Sequence, residues 1–182
     1  MNAPVNEPGV AALPYRIAVL CYLYDHDGRV LLLHRRKSPN AGMYSPIGGK
    51  LHVNEGEGPH ECARREIHEE AGVDVPPGDL RLSGIVSECA YEGQTHWLLF
   101  LFEVTRPIDP SEIATYDISE GTLEWVPPPE VDKLAIPETD RRFMWPNVQA
   151  HRGGFFMVHI DCRVQPMSWT VVESVKAVGA ER

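Results

Sequence analysis

The chain has 182 residues, a mass of 20.4 kDa, 43% hydrophobic and 24% charged residues, and a formal net charge of -9. That length suits a single core, and the acidic balance, with a pI of about 5.3, argues against broad binding to nucleic acid or to an anionic membrane. It does not argue against a phosphorylated small molecule, because a bound cation inverts the local charge.

The four cysteines, Cys21, Cys62, Cys89 and Cys162, are widely spaced with no CxxC pair. The expectation is reduced thiols in a cytoplasmic protein rather than a zinc knuckle or a disulfide framework. No run reaches the apolar length of a membrane span. The first residues carry no basic n-region, so they do not read as a signal peptide.

Residues 1–13 are aperiodic and are expected to form a flexible tail, with 14–182 as one domain. Two β-rich runs, Arg16–Tyr24 and Arg29–His34, flank Asp25-His26-Asp27-Gly28, a hairpin signal. Both runs are nearly continuously apolar, which predicts cover on both faces. Arg35, Arg36 and Lys37 follow, either as a solvated basic turn or as a phosphate clamp. A Gly-rich loop then leads through Gly48-Gly49.

Pro59 suits the first turn of a helix and Gly72 its end, with Cys62, Ala63, Ile67 and Ala71 on the apolar side. Further strands are expected near Leu80–Ser87, Thr95–Val104, Thr122–Val126, Gly154–Cys162 and Ser168–Val175. Thr95–Val104 is the most apolar and should lie inside the sheet. Asp109–Gly121 reads as a polar loop, and 127–148 as a helical stretch interrupted by Pro137. The layout predicts an α/β or α+β domain with a mixed sheet and a helix on each face.

On the first helix Glu66, Glu69 and Glu70 stand at i, i+3 and i+4, on one face. Three carboxylates that close repel one another, and desolvation sharpens the conflict. A hard divalent cation removes it, since Mg2+ is held by one or two carboxylates together with substrate phosphates.

The stretch from Glu57 through Arg65-Glu66-Ile67-His68-Glu69-Glu70-Ala71-Gly72-Val73 resembles the Nudix box of the Nudix hydrolases, G-x5-E-x7-R-E-U-x-E-E-x-G-U with U aliphatic. From Glu57 onward the pattern is complete. Between Gly49 and Glu57 the chain carries two residues more than the pattern. The resemblance implies a Nudix α/β/α sandwich with a mixed central sheet. It implies a Mg2+-dependent (or Mn2+-dependent) pyrophosphohydrolase acting on a nucleoside diphosphate linked to another moiety: a nucleoside triphosphate, a dinucleoside polyphosphate or a nucleotide sugar.

By that resemblance Glu66, Glu69 and Glu70 are the catalytic metal ligands. Gly49 offers its carbonyl, and Glu57 either fixes the loop through Arg65 or meets a metal through water. Arg65 and Gly72 are structural. The general base stays open between a box glutamate, Glu66 or Glu69, and a loop carboxylate, Glu112 or Glu120. Arg35, Arg36 and Tyr91 are candidates for substrate binding. Tyr91, Trp97, Phe143 and Trp145 are candidates for base stacking. His68 reads as a surface residue and His52 as a solvated loop histidine. The competing class is a Nudix-fold module that senses a nucleotide without cleaving it. A homodimer through the C-terminal strands is the expected protein partner, with no nucleic acid and no membrane.

Overall fold

The computed structural model of the chain describes residues 13–38 and 40–177, so the expected tail lies outside the described residues except for Leu13. In chain order the elements are β1 (Tyr15–Tyr22), β2 (Val30–Arg35), β3 (Tyr44–Pro46), α1 (Pro59–Ala71), β4 (Leu80–Tyr91), β5 (Thr95–Val104), β6 (Asp117–Ile118), β7 (Gly121–Val126) and α2 (Pro128–Val131). A π-helical turn at Asp140–Met144 then runs into α3 (Trp145–Ala150), followed by β8 (Phe155–Asp161) and β9 (Ser168–Val175).

The strands form two sheets. One is mixed and five-stranded, in the order β1-β5-β4-β8-β9, with β1–β5 and β4–β8 parallel. The other is antiparallel and four-stranded, in the order β3-β2-β7-β6. Period-two alternation divides the core between them. On β1, Val19 and Cys21 join Leu31 and Leu33 of β2 and the apolar stripe of α1, Cys62, Ala63, Ile67 and Ala71. Ala18 and Tyr22 face the other way, with Leu99, Leu101 and Phe156, onto Phe143, Met144, Trp145 and Val148 of the π-turn and α3. A helical segment therefore covers each face, as the α/β/α reading expects.

The predicted β1–β2 hairpin is present only as its turn. Asp25 is buried and its carboxylate accepts from the Asp27 and Arg29 backbone N–H groups and from Arg29 Nε. Leu31 N–H donates to the Leu23 carbonyl at 2.9 Å, after which the strands separate into different sheets. β2 has Val30 and Leu32 in one cluster and Leu31 and Leu33 in the other, so it belongs between two layers and not at the edge beside β1.

Helix α1 begins with Pro59 in its first turn and ends at Gly72, whose φ of 74° places it in the left-handed region that glycine enters without a Cβ penalty. The Gly72 N–H closes the last turn on the His68 carbonyl at 2.9 Å.

Candidate active site

A cavity of about 390 Å³ runs between the Gly48–Lys50 loop and the start of the π-turn. Its first end is made by Gly48, Gly49, Lys50, Glu66, Arg35 and Glu120. Its other end is made by Glu88 and Tyr91 of β4, Trp97 and Leu99 of β5, and Thr139, Asp140 and Met144. Ala18, Val19 and Leu20 of β1 lie along it.

The loop is fixed to the sheet and to α1 by backbone. The Val19 N–H donates to the Gly49 carbonyl at 2.9 Å and the Cys21 N–H to the Ile47 carbonyl at 2.7 Å. At Gly49 a Cβ would land inside the Glu66 carboxylate, so glycine is what lets that carboxylate reach the cavity wall.

Arg65 is the organising cation of α1. Its guanidinium meets Glu57 at 2.7 and 3.0 Å, Glu66 at 2.7 Å, Glu69 at 3.1 Å and the Lys50 carbonyl at 3.3 Å. Glu57 also accepts the His52 backbone N–H at 2.8 Å. The forked bond to Arg65 holds the Glu57 carboxyl down at about 2. Of the two roles open to Glu57, the one seen here is the clasp between loop and helix. The two extra residues lie inside this clasped loop, which forms a 3-10 turn at Val53–Glu55.

Glu70 is in the opposite condition. It is buried, with one oxygen accepting from the Gly48 N–H at 3.3 Å. Burial pushes its pKa up to about 8, helped by the negative charges of Glu66 and Glu120. Burial raises Glu66 as well. Glu69 is more exposed and bonds to Arg65 at 3.1 Å. As the side chains stand, the described residues contain no group of three or more His, Cys, Asp or Glu arranged to hold a metal. The donor chemistry nonetheless fits a hard divalent cation. Glu66 and Glu70 are oxygen donors, and burial, with the charge of Glu120 adding to it, raises the proton affinity of both. The Gly49 carbonyl, a further oxygen donor, accepts from the Val19 N–H at 2.9 Å and from the weak Cys62 thiol donor at 3.9 Å.

The remaining candidates separate clearly. Arg35 lines the cavity 3.6 Å from Glu120, whereas Arg36 points away into the β6–β7 hairpin, bonded to Asp117, Thr122 and the Ile118 carbonyl. Successive strand side chains take opposite faces, so only one of the pair can serve the cavity. Of the two loop carboxylates, Glu120 lies in the cavity wall. Glu112 is held by Arg106 at 2.7 and 2.9 Å, outside the wall. Tyr91 and Trp97 line the cavity, while Phe143 and Trp145 are buried in the core. His68 faces Asp74 at 2.9 Å on the surface, and His52 is exposed in the loop.

Lys50, Glu88, Thr139 and Asp140 also line the cavity, and the sequence reading singles out none of them. A readable sign existed for Glu88, an acidic residue in the inward parity of an alternating strand that buries Val86. For Asp140 the sign was its i+3 and i+4 spacing to Phe143 and Met144.

The NUDIX domain family model matches residues 14–145. The chain belongs to the Nudix family and is a hydrolase acting on phosphoric anhydride bonds. It is 32% identical to an RNA pyrophosphohydrolase of Erythrobacter litoralis over 143 residues, which cover 69% of this chain and 84% of that one. It is 30% identical to an RNA pyrophosphohydrolase of Cereibacter sphaeroides over 149 residues, covering 72% and 86%. Its fold is similar to the crystal structure of a MutT protein from Bacillus halodurans, with a TM-score of 0.68 and 28% identity over 86% of this chain and 97% of that chain. Among the described residues no helix is long and apolar enough to cross a membrane.

Proposed function

We propose that the chain hydrolyses a pyrophosphate bond in a nucleotide, with Mg2+ as the working cation and a nucleoside triphosphate as the substrate class. The observation that carries this reading is the shape of the cavity. A charged end, with Glu66, Glu120, Arg35 and Lys50, is continuous with an end where the apolar walls of Trp97, Leu99 and Met144 stand beside Tyr91, Glu88, Thr139 and Asp140. A nucleotide has the same division between phosphates and base.

Glu66, Glu69, Glu70 and the Gly49 carbonyl are the residues assigned to the cation. The cation would neutralise phosphate oxygens and lower the pKa of the attacking water. Arg35 and Lys50 contribute positive charge to the cavity wall that attracts the phosphates. Glu120 is assigned as the acceptor of the water proton, because it alone of the two loop carboxylates reaches the wall. Arg65 and Glu57 keep the loop against α1 so that these groups stay in place.

Two other readings stay within the test. The names of the relatives favour a triphosphorylated RNA end in place of a free nucleotide. The charge of -9 opposes extended contact with an RNA backbone. A sensor that binds without cleaving is opposed by the retention of Glu57, Glu66, Glu69 and Glu70. Nucleoside triphosphates, dinucleoside polyphosphates, nucleotide sugars and a short 5′-triphosphate RNA are each incubated with protein and Mg2+, and phosphate and pyrophosphate release are measured. Release of pyrophosphate from a free triphosphate is expected. Faster cleavage of the RNA end would replace the substrate class, and tight binding with no turnover would establish the sensor.

A further inference from the structure

At the apolar end of the cavity two acidic side chains have no part in handling phosphates. Glu88 stands on β4 opposite Trp97 of β5 and Ile160 of β8. It is 4% exposed, lines the cavity, and its Oε1 has no hydrogen-bond partner among the described residues. The β4–β5 register breaks just beyond it, and Ala90 has a φ of 54°. Such a bulge redirects side chains. Asp140, first residue of the π-turn, lines the same wall.

The groups that face this pair are few. The Thr139 hydroxyl lies beside Glu88, Tyr91 beside both acids, Cys162 beside Glu88 and Tyr22 beside Asp140. Among the described residues no cation acts on either acid. Burial pushes Glu88 up to about 7 against the pull of Thr139. Burial and the Glu88 charge push Asp140 up to about 8. Near neutrality the pair therefore retains a proton.

A wall that only needed filling would carry an apolar side chain, since a buried carboxyl with an unpaired oxygen costs free energy. A ligand with N–H donors removes that cost. The position also fits. The Gly49 lane pairs with β1, β1 with β5, and β5 with β4, and Glu88 lies three residues along the strands from the Val19–Gly49 row, so the two offsets together put it roughly 17 Å from the glycine loop. That is comparable with the reach of a nucleotide from its phosphates to its base.

We propose that Glu88 and Asp140 form a base-reading pair that selects a nucleobase with two adjacent N–H donors beside a carbonyl, the guanine class. An ionised carboxylate accepts from the two donors, and the protonated partner donates to the carbonyl oxygen. Adenine offers one donor beside one acceptor and leaves part of the pair unmet; cytosine presents one donor followed by two acceptors, and uracil one donor between two acceptors. Trp97 and Met144 supply the apolar walls. This rests on the reading that a nucleotide enters the cavity.

The test is steady-state hydrolysis of GTP, ATP, CTP and UTP with Mg2+ by the wild type, Glu88→Gln, Asp140→Asn and Asp140→Ala, together with equilibrium binding of GMP and AMP to the wild type. The wild type should favour GTP over ATP in kcat/KM by about 10- to 100-fold. Glu88→Gln exchanges an acceptor for a donor. It should raise the KM for GTP by about tenfold or more, with kcat changed less than KM and the preference over ATP abolished. Asp140→Asn keeps an N–H donor where the protonated carboxyl stands and should retain the GTP preference, whereas Asp140→Ala removes the donor and should lower it. Equal kcat/KM for all four nucleotides in the wild type would overturn the pair, as would an equal rise in KM for all four in Glu88→Gln. If Glu88→Gln fails to fold, Asp140→Ala is judged by the same criterion. Hydrolysis of none of the four would overturn the substrate class proposed above. GMP and AMP binding then still decides the pair, with tenfold tighter GMP in its favour and equal binding against it.

Discussion

Just before α1 Glu57 is held as a carboxylate with a pKa of about 2, while on β4 Glu88 is pushed up to about 7. The residue type is the same and the surroundings decide. Glu57 meets the Arg65 fork and a backbone N–H, whereas Glu88 meets Trp97, Thr139 and no cation among the described residues. Glu70, at the far end of α1 from Glu57, is buried beside Glu66 and Glu120 and rises to about 8. Carboxylates in this molecule therefore include those held down by an ion pair, as Glu57 is by Arg65, and those raised by burial, as Glu70 and Glu88 are. The Nudix box supplies both kinds within fourteen residues, Glu57 to Glu70.

The largest effect should come from the buried carboxyl on α1. Replacing Glu70 or Glu69 by Gln should lower turnover by at least about a hundredfold, with the far-ultraviolet circular dichroism unchanged. Glu70 has its folded pKa raised, so the wild type loses stability as pH rises from 4.5 toward 8. Glu70→Gln should lack that loss and melt at or above the wild type at pH 8. Mg2+ should raise the melting temperature of the wild type and not of Glu70→Gln. Activity surviving both substitutions would break the distinction between raised and clasped carboxylates.

Next in size is Gly49→Ala. The new methyl displaces the end of a flexible Glu66 side chain, so the fold should survive. A misplaced Glu66 should lower turnover by about 10- to 100-fold and shift the Mg2+ dependence to higher concentration. Unchanged kinetics would mean that Glu66 does not work from its present position.

The two regions also differ in how far the sequence disclosed them. Glu57, Arg65, Glu66, Glu69 and Glu70 lie on one short segment, and helical spacing alone places the last three together. Cys62, Ala63, Ile67 and Ala71 were legible for the same reason, as was Gly72 at the helix end. Glu88 and Asp140 are 52 residues apart, and only the pairing of β4 with its neighbours and the placing of the π-turn bring them together. The division into two sheets was hidden likewise. The runs before and after Asp25 are equally apolar, so nothing local shows that one pairs with β5 and the other with β7.

The clasp itself predicts a stability effect of intermediate size. Glu57→Gln leaves the Arg65 fork half met and should cost about 1.5–3 kcal/mol, read by urea unfolding at pH 7. The folded pKa of Glu57 lies below its ordinary value. Its stabilisation is present above about 4.5 and is lost as pH falls toward 2. The wild type should therefore lose stability across that window more steeply than Glu57→Gln. Parallel acid limbs in the two proteins would place the contribution of Glu57 elsewhere.

The smallest effect, and the finest division, lies between two adjacent arginines. Arg35 lines the cavity beside Glu120, and Arg36 is tied to Asp117 and Thr122 on the outer side of the same strand end. If Arg35 meets phosphate, Arg35→Ala should raise KM for the nucleotide by about tenfold, the loss of one charge-assisted bond. Arg36→Ala should leave KM unchanged and cost no more than about 1 kcal/mol, because its ion pair is exposed. The two substitutions remove the same charge from neighbouring positions. Equal effects on KM would mean that the arginines act through the general field at the cavity mouth, and a large difference would mean that contact at the wall decides.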